Sequence, residues 1–237
     1  MLKLTDEELK QVKERLNSRN FSVSSIGSPV GKYGIRDDFS VELGNIKRAC
    51  EIAGYLSAPY IRVFFLFYAR RGTAGCLQDE VISRMKQLID AAEVYGVTLL
   101  LENESHVYGD IDDRCLDLLE SCSSPRLRLA FDPGNFVMNG VKPVSQALPK
   151  LQPYLEYVHV KDALGEERMF VPAGEGDGEL APFIRSLKDS GFSGFLSIEP
   201  HLHNYLPDLD NPGRFVRAVQ ALKKAARCGR YCLELRN

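Results

Sequence analysis

Four runs in this chain end an apolar stretch with a side chain able to bind a divalent cation: Leu99-Leu-Leu-Glu-Asn-Glu104, Leu129-Ala-Phe-Asp-Pro-Gly-Asn135, Tyr157-Val-His-Val-Lys-Asp162 and Phe195-Leu-Ser-Ile-Glu-Pro-His201. A fifth, Tyr60-Ile-Arg-Val-Phe64, has the same make-up with a basic residue inside it. Each run reads as a buried strand, where a carboxylate is costly unless it is paired or coordinated. Taken singly, Glu102, Asp132, His159 or Glu199 is most simply a hydrogen-bonded polar group at a strand end. Four of them, one per strand and all near the carboxyl ends, point instead to convergence on one ion. Two or three carboxylates with one imidazole suit Mn²⁺, Mg²⁺, Co²⁺ or Zn²⁺, with coordination positions left for substrate oxygens.

The neighbours of these residues follow from strand alternation, which places Glu102 with Glu104, His159 with Lys161, and Ser197 with Glu199 and His201 on shared faces. Lys161 is expected to point inward, where its ammonium needs a carboxylate or a substrate oxygen. Asp162 then points away and orients a neighbouring group. Arg62 is costly to bury, so it pairs with a carboxylate or binds substrate. Lys32, which closes Ser24-Ser-Ile-Gly-Ser-Pro-Val-Gly-Lys32, is either a group that holds a hydroxyl or phosphate or a solvated loop lysine. His106, in the loop after Glu104, is a candidate substrate contact or a surface histidine. His201 follows Glu199 and is placed to sit above the ion, whereas His203 is expected in solvent. Gly174-Glu-Gly-Asp-Gly178 lacks the preceding strand of a nucleotide fingerprint and reads as a turn bordering the pocket. Phe64-Phe-Leu-Phe-Tyr68 reads as core and pocket wall.

The elements that must position these groups repeat. Strand-like runs begin near Ser22, Tyr60, Val97, Leu127, Glu156, Gly194 and Tyr231, with helical segments between them. The beat is about 30 to 38 residues, the size of a βα unit. The apolar runs are nearly continuous, as for parallel strands buried on both faces. Thr5-Asp-Glu-Glu8 predicts a capping box, and Gly96, Gly191 and Gly229 follow predicted helices such as Val81–Tyr95 and Arg214–Arg227. Ligating residues at successive strand ends favour a TIM-type (β/α) barrel over an open doubly wound sheet, whose ligands gather at one switch point. Residues 1–237 contain no linker or composition shift and are expected to form a single domain.

Composition narrows the function. Hydrophobic residues make up 44% of the chain and its formal net charge is −2. That balance leaves no basic stripe for nucleic acid. No apolar run approaches the roughly 20 residues that cross a bilayer, so no membrane partner is expected. The charged N-terminus is unlike a signal peptide, and the scattered cysteines, with no C-x-x-C pair, read as reduced thiols. A cytoplasmic location follows as an expectation.

The motifs Glu102-Asn-Glu104, Phe131-Asp-Pro-Gly-Asn135, Val158-His-Val-Lys-Asp162, Gly174-Glu-Gly-Asp-Gly178 and Ile198-Glu-Pro-His201 resemble, in the same order, the metal and substrate segments of the sugar phosphate isomerase/epimerase family with the xylose-isomerase-like TIM barrel. The likeness runs from about Leu4 to Ala226 and extends upstream to Ser24–Lys32. It implies that Glu102, Asp132, His159 and Glu199 bind the metal, and that Glu102 and Glu199 form an acid/base pair. The reaction implied is proton transfer through an enediolate on a small sugar, sugar phosphate or polyol-derived carbonyl compound. Proton return to the opposite face of the same carbon gives epimerisation, and return to the neighbouring carbon gives isomerisation. Asn135 stands where ketose epimerases of the family commonly carry histidine, which argues against a free ketohexose.

The family pattern has a strand–helix–strand unit ahead of the helix that begins here at Asp6, so six family strands are expected. Tyr231-Cys-Leu-Glu-Leu-Arg-Asn237 reads as a seventh strand that closes the sheet, in cis or by exchange with a second copy. Without that closure two sheet edges stay open and a homodimer is expected. Two rivals remain at this stage. One is a sugar-binding or regulatory relative without activity. The other is an endonuclease IV-like nuclease, disfavoured by the chain's four histidines and the lack of a basic groove.

Overall fold

The computed structural model describes residues 1–65 and 77–228. Helix α1 (Asp6–Ser18) opens on the predicted capping box: Thr5 Oγ1 accepts from the Glu8 amide, and the Glu8 carboxylate accepts from the Thr5 amide at 2.8 Å. Strand β1 (Ser25–Gly27) leads to α2 (Phe39–Leu56), whose first turn is capped by Asp38 accepting from Ser40 N. Then follow β2 (Tyr60–Val63), α3 (Gln78–Glu93), β3 (Thr98–Glu102), α4 (Asp112–Cys122) and β4 (Leu127–Phe131). The short α5 (Pro133–Met138) and α6 (Leu148–Leu151) precede β5 (Leu155–Val160), and a hairpin of β6 (Asp162–Leu164) and β7 (Met169–Val171) comes next. Helix α7 (Leu180–Asp189), β8 (Phe195–Ile198) and α8 (Asn211–Cys228) complete the order. Gly96 and Gly191 end helical segments at φ 68° and 72°, as their positions predicted.

Six strands form one parallel sheet in the order β1-β2-β3-β4-β5-β8. The sheet curls. Ser24, just before β1, meets Tyr157 of β5 at 2.8 Å between hydroxyls, although three strands separate β1 from β5. The rings of Tyr60, Tyr157 and Phe195, from β2, β5 and β8, have centroids 5.7 to 6.5 Å apart. This half-barrel has an outer face of Ile26, Ile61, Leu99, Leu101, Leu129 and Val158, packed on the helices in the main core. Inside, Leu100, Ala130 and Tyr157 form a smaller cluster with Tyr60 against it.

One expectation needs correction, and one element is new. Burial on both faces holds along most of β3, β4 and β5, but β2 alternates buried with half-buried residues, and β8 has no fully buried residue, with Phe195 37% exposed. Their inner faces look into a barrel interior that the described strands only half surround. The β6–β7 hairpin was not anticipated, because its three-residue strands flank a charged turn, Gly165-Glu-Glu-Arg168, that reads as loop. The expected closing strand at 231–237, residues 66–68 of the aromatic run, Cys76 and Cys232 lie outside the described residues. Cys50, Cys115 and Cys122 are unbridged. No described helix is long and apolar enough to cross a membrane.

Candidate metal centre

The four residues singled out in the sequence converge. Glu102 ends β3, Asp132 caps α5 directly after β4, His159 lies in β5, and Glu199 follows β8. One ligand atom from each lies within 4.8 Å of the others, and Glu102, Asp132 and His159 are buried. His159 Nδ1 is 3.0 Å from Glu102 Oε1 and 3.4 Å from Glu199 Oε1. Lys161 Nζ lies 2.8 Å from Asp132 Oδ2 and 3.4 Å from Glu199 Oε2. Arg62 reaches across from β2 to Glu102 Oε2 at 2.8 Å, which places it as a carboxylate partner. His201 is half-exposed and stands 4.0 Å from Glu199 Oε2.

Asn103 was not anticipated, yet it fixes Asp132 from both sides. Its Oδ1 accepts from Asp132 N at 2.8 Å, and its Nδ2 donates to Asp132 O at 2.9 Å. The available signal was an amide in the same buried run as Glu102, where alternation turns it to the opposite face. Asn135 donates its backbone N–H to Asp132 Oδ1 at 2.9 Å and its side-chain amide to Asn103 O at 2.9 Å. Its Nδ2 also lies 3.5 Å from Glu102 Oε1, so it borders the cluster. Lys32 pairs with Glu104 at 3.0 Å and stands 3.8 Å above the Phe64 ring, at the rim. His106 is exposed in the following loop at φ 68°, outside the cluster, and His203 is exposed as expected.

The charges are interdependent. Burial opposes ionisation of Glu102, but the approach of His159 and the charges of Arg62 and Lys161 hold its carboxyl well below the usual carboxylate range. Burial pushes the Asp132 carboxyl up to about 7 despite Lys161 beside it, and Glu102 adds to the rise. Burial works against the charged forms of Lys161 and His159, yet the surrounding carboxylates carry both above their ordinary values. Asp132 Oδ2 and His159 Nδ1 are buried without a hydrogen bond, because their close neighbours approach out of line. Buried polar atoms left in this state call for an explanation. Three carboxylates and an imidazole around a shared centre fit a divalent ion.

A curled parallel sheet with its helices outside and its polar cluster at the strand carboxyl ends defines an α/β barrel with its site at the usual face. The chain belongs to the xylose isomerase-like TIM barrel family, whose sequence profile matches residues 1–225. Fructoselysine 3-epimerase from Escherichia coli O157:H7 is 26% identical over 162 residues, covering 66% of this chain and 58% of that protein. The chain spans about half the length of the curated relatives it matches, 43% and 58% for two of them. Among solved structures, a D-tagatose 3-epimerase-like protein superposes with a TM-score of 0.79 at 19% identity, covering 95% of this chain and 85% of that one. A xylose isomerase-like TIM barrel protein from Mycobacterium smegmatis, solved in complex with magnesium, gives 0.70 at 18% identity over 96% of this chain and 81% of that one.

Proposed function

We propose that this protein is a divalent-metal-dependent isomerase or epimerase of a small sugar, sugar phosphate or polyol-derived carbonyl compound. Glu102, Asp132, His159 and Glu199 hold the ion, and Glu102 and Glu199 move the proton. When bound, the ion polarises a substrate carbonyl and its adjacent hydroxyl and so acidifies the intervening C–H bond. Glu102 is placed to exchange a proton with substrate, its carboxylate held at the strand end between His159 at 3.0 Å and Arg62 at 2.8 Å. Glu199 is the more accessible of the two, with its side chain 24% exposed against 1% for Glu102. It therefore faces the side from which substrate and solvent arrive. Lys161 and Arg62 fix the carboxylates, and Lys32, Asn135, Lys161 and His201 border the space where substrate hydroxyls would lie.

The observation that carries this reading is the approach of four ligand side chains, from four different strand ends, to within 4.8 Å. The activity of fructoselysine 3-epimerase and the magnesium in the M. smegmatis relative support it. Deuterium wash-in from heavy water, with metal-loaded protein and a panel of ketoses and ketose phosphates, tests it. Carbon-bound deuterium is expected with at least one sugar, and its loss in Glu102→Gln and Glu199→Gln. Metal-loaded protein that binds sugars but exchanges no proton across the panel would contradict the enzyme reading and favour a sugar-binding module.

A further inference from the structure

The β6–β7 hairpin and the glycine-rich loop after it are tied to a single buried carboxylate that the reaction above does not use. Asp162 is fully buried. Its Oδ1 accepts from the amides of Ala163 and Gly178, each at 2.8 Å. Its Oδ2 accepts from Gly174 at 2.8 Å and Gly176 at 3.2 Å. Such convergence of N–H groups can stabilise a carboxylate without a cationic partner. It also accounts for the spacing of the glycines. A Cβ at Gly176 or Gly178 would fall 2.6 or 2.5 Å from Asp162 Oδ1, so any side chain there would push the loop off the clamp.

The clamp acts on the candidate site through one residue. Strand pairing sets Asp162 opposite Val171 and Ala163 opposite Phe170, so fixing Asp162 fixes where the Phe170 ring stands. That ring is centred 5.3 Å from Lys161 Nζ and 5.4 Å from the His201 ring, which it meets edge-on at 72°. Phe170 is half-buried, on the same accessible side as Glu199 and His201. Its ring faces carry negative potential, which attracts the Lys161 ammonium and the weakly positive C–H groups of a polyol.

We propose that Asp162 is a positioning residue that clamps the hairpin and the Gly174–Gly178 loop, so that Phe170 forms an aromatic, specificity-determining wall of the site for the C–H face of a carbohydrate. The wall rests on the sugar isomerase or epimerase reading above; the clamp does not. An Asn at 162 keeps the shape but turns one acceptor oxygen into a donor facing two N–H groups.

The chain contains no tryptophan, so Phe170→Trp creates a single emission reporter at the wall. In that background, ketose addition is expected to reduce acrylamide quenching. Adding Asp162→Asn is expected to shift the emission to the red and increase quenching, and Gly178→Ala, which keeps Asp162, is expected to do the same. In the wild-type protein the amides of Gly174, Gly176 and Gly178 are expected to exchange slowly with heavy water, a measurement that stands even if a variant fails to fold. In turnover, Phe170→Ala is expected to raise KM about tenfold with a smaller change in kcat. With Asp162→Asn already present, Phe170→Ala should add little, because the wall is already displaced. An unchanged emission in both clamp variants, or fast exchange at the three amides, would overturn the clamp. Full additivity of the two substitutions, or equal sugar affinity in Phe170→Ala and wild type, would overturn the wall. If no sugar exchanges a proton while the clamp variants still shift the emission, the isomerase reading fails and the clamp stands.

Discussion

On its outer face the sheet buries Ile61, Leu99, Leu101, Leu129 and Val158 against helices, where apolar side chains need only fit. On its inner face, at the carboxyl ends of the same strands, it buries Glu102, Asp132, His159 and Lys161, each of which needs a partner. Strand β3 shows both within one residue step: Leu101 packs on the helices, and Glu102 meets Arg62 and His159. The outer face can be repacked by apolar side chains of suitable volume. The inner end is stable only as a set, because removing one partner strands the others, and a cation bound among them would satisfy them together. The contrast therefore separates what holds the protein up from what it does.

Substitutions on either side sharpen that separation. The largest effect is expected at the inner end, where Glu102→Gln or Glu199→Gln should lower the rate of carbon-bound proton exchange by about 10²- to 10⁴-fold, measured by deuterium wash-in. Substantial residual exchange in both would erase the distinction between the faces. On the outer side, Phe183 of α7 stacks on Phe131 with centroids 4.9 Å apart. Phe183→Ala is expected to cost about 3–5 kcal/mol in urea unfolding, with little change in exchange rate per folded molecule.

Acidity tests the inner cluster through Asp132 and His159. Asp132, pushed up from 3.8 to about 7, binds its proton more tightly folded than unfolded, so the metal-free protein loses stability as pH rises between those values. His159, raised above 6.5, contributes stability that is full below 6.5 and is lost as pH climbs through its folded value. Both signs agree: the Tm of metal-free protein should fall from about pH 5 to about pH 8. Added Mn²⁺ should reverse that slope, because the ion displaces both protons. A metal-free Tm that rises over this range would show that the cluster is not the dominant titrating group. The smallest effect is expected at the rim, where the Lys32–Glu104 pair is partly solvated. Lys32→Ala should change stability by at most about 1 kcal/mol in thermal unfolding. An accompanying rise in KM would identify Lys32 as a substrate contact.

The same contrast explains what could be read from sequence. The outer face was legible as apolar runs at a βα beat, and Glu102, Asp132, His159 and Glu199 were legible because a charge at the end of such a run is costly. Lys161 and Arg62 were placed inside by the same reasoning, and the partners they find are carboxylates of the cluster. Asn103 went unnoticed because its amide serves the backbone around Asp132, a contact 29 residues away that no local pattern encodes. Phe170 and its hairpin were missed because three-residue strands have no measurable period, and the clamp that holds them depends on amides at Gly174, Gly176 and Gly178 instead of side chains. Long periodic elements can be inferred from residue types, whereas close approach between distant backbone segments cannot.

Calorimetric titration of Mn²⁺ into metal-free protein near neutral pH tests the central claim most directly. The expected result is one ion per chain, taken up with release of protons, and loss of that uptake in Asp132→Asn and Glu199→Ala. Uptake that persists in both variants, or no uptake by the wild-type chain, would contradict it.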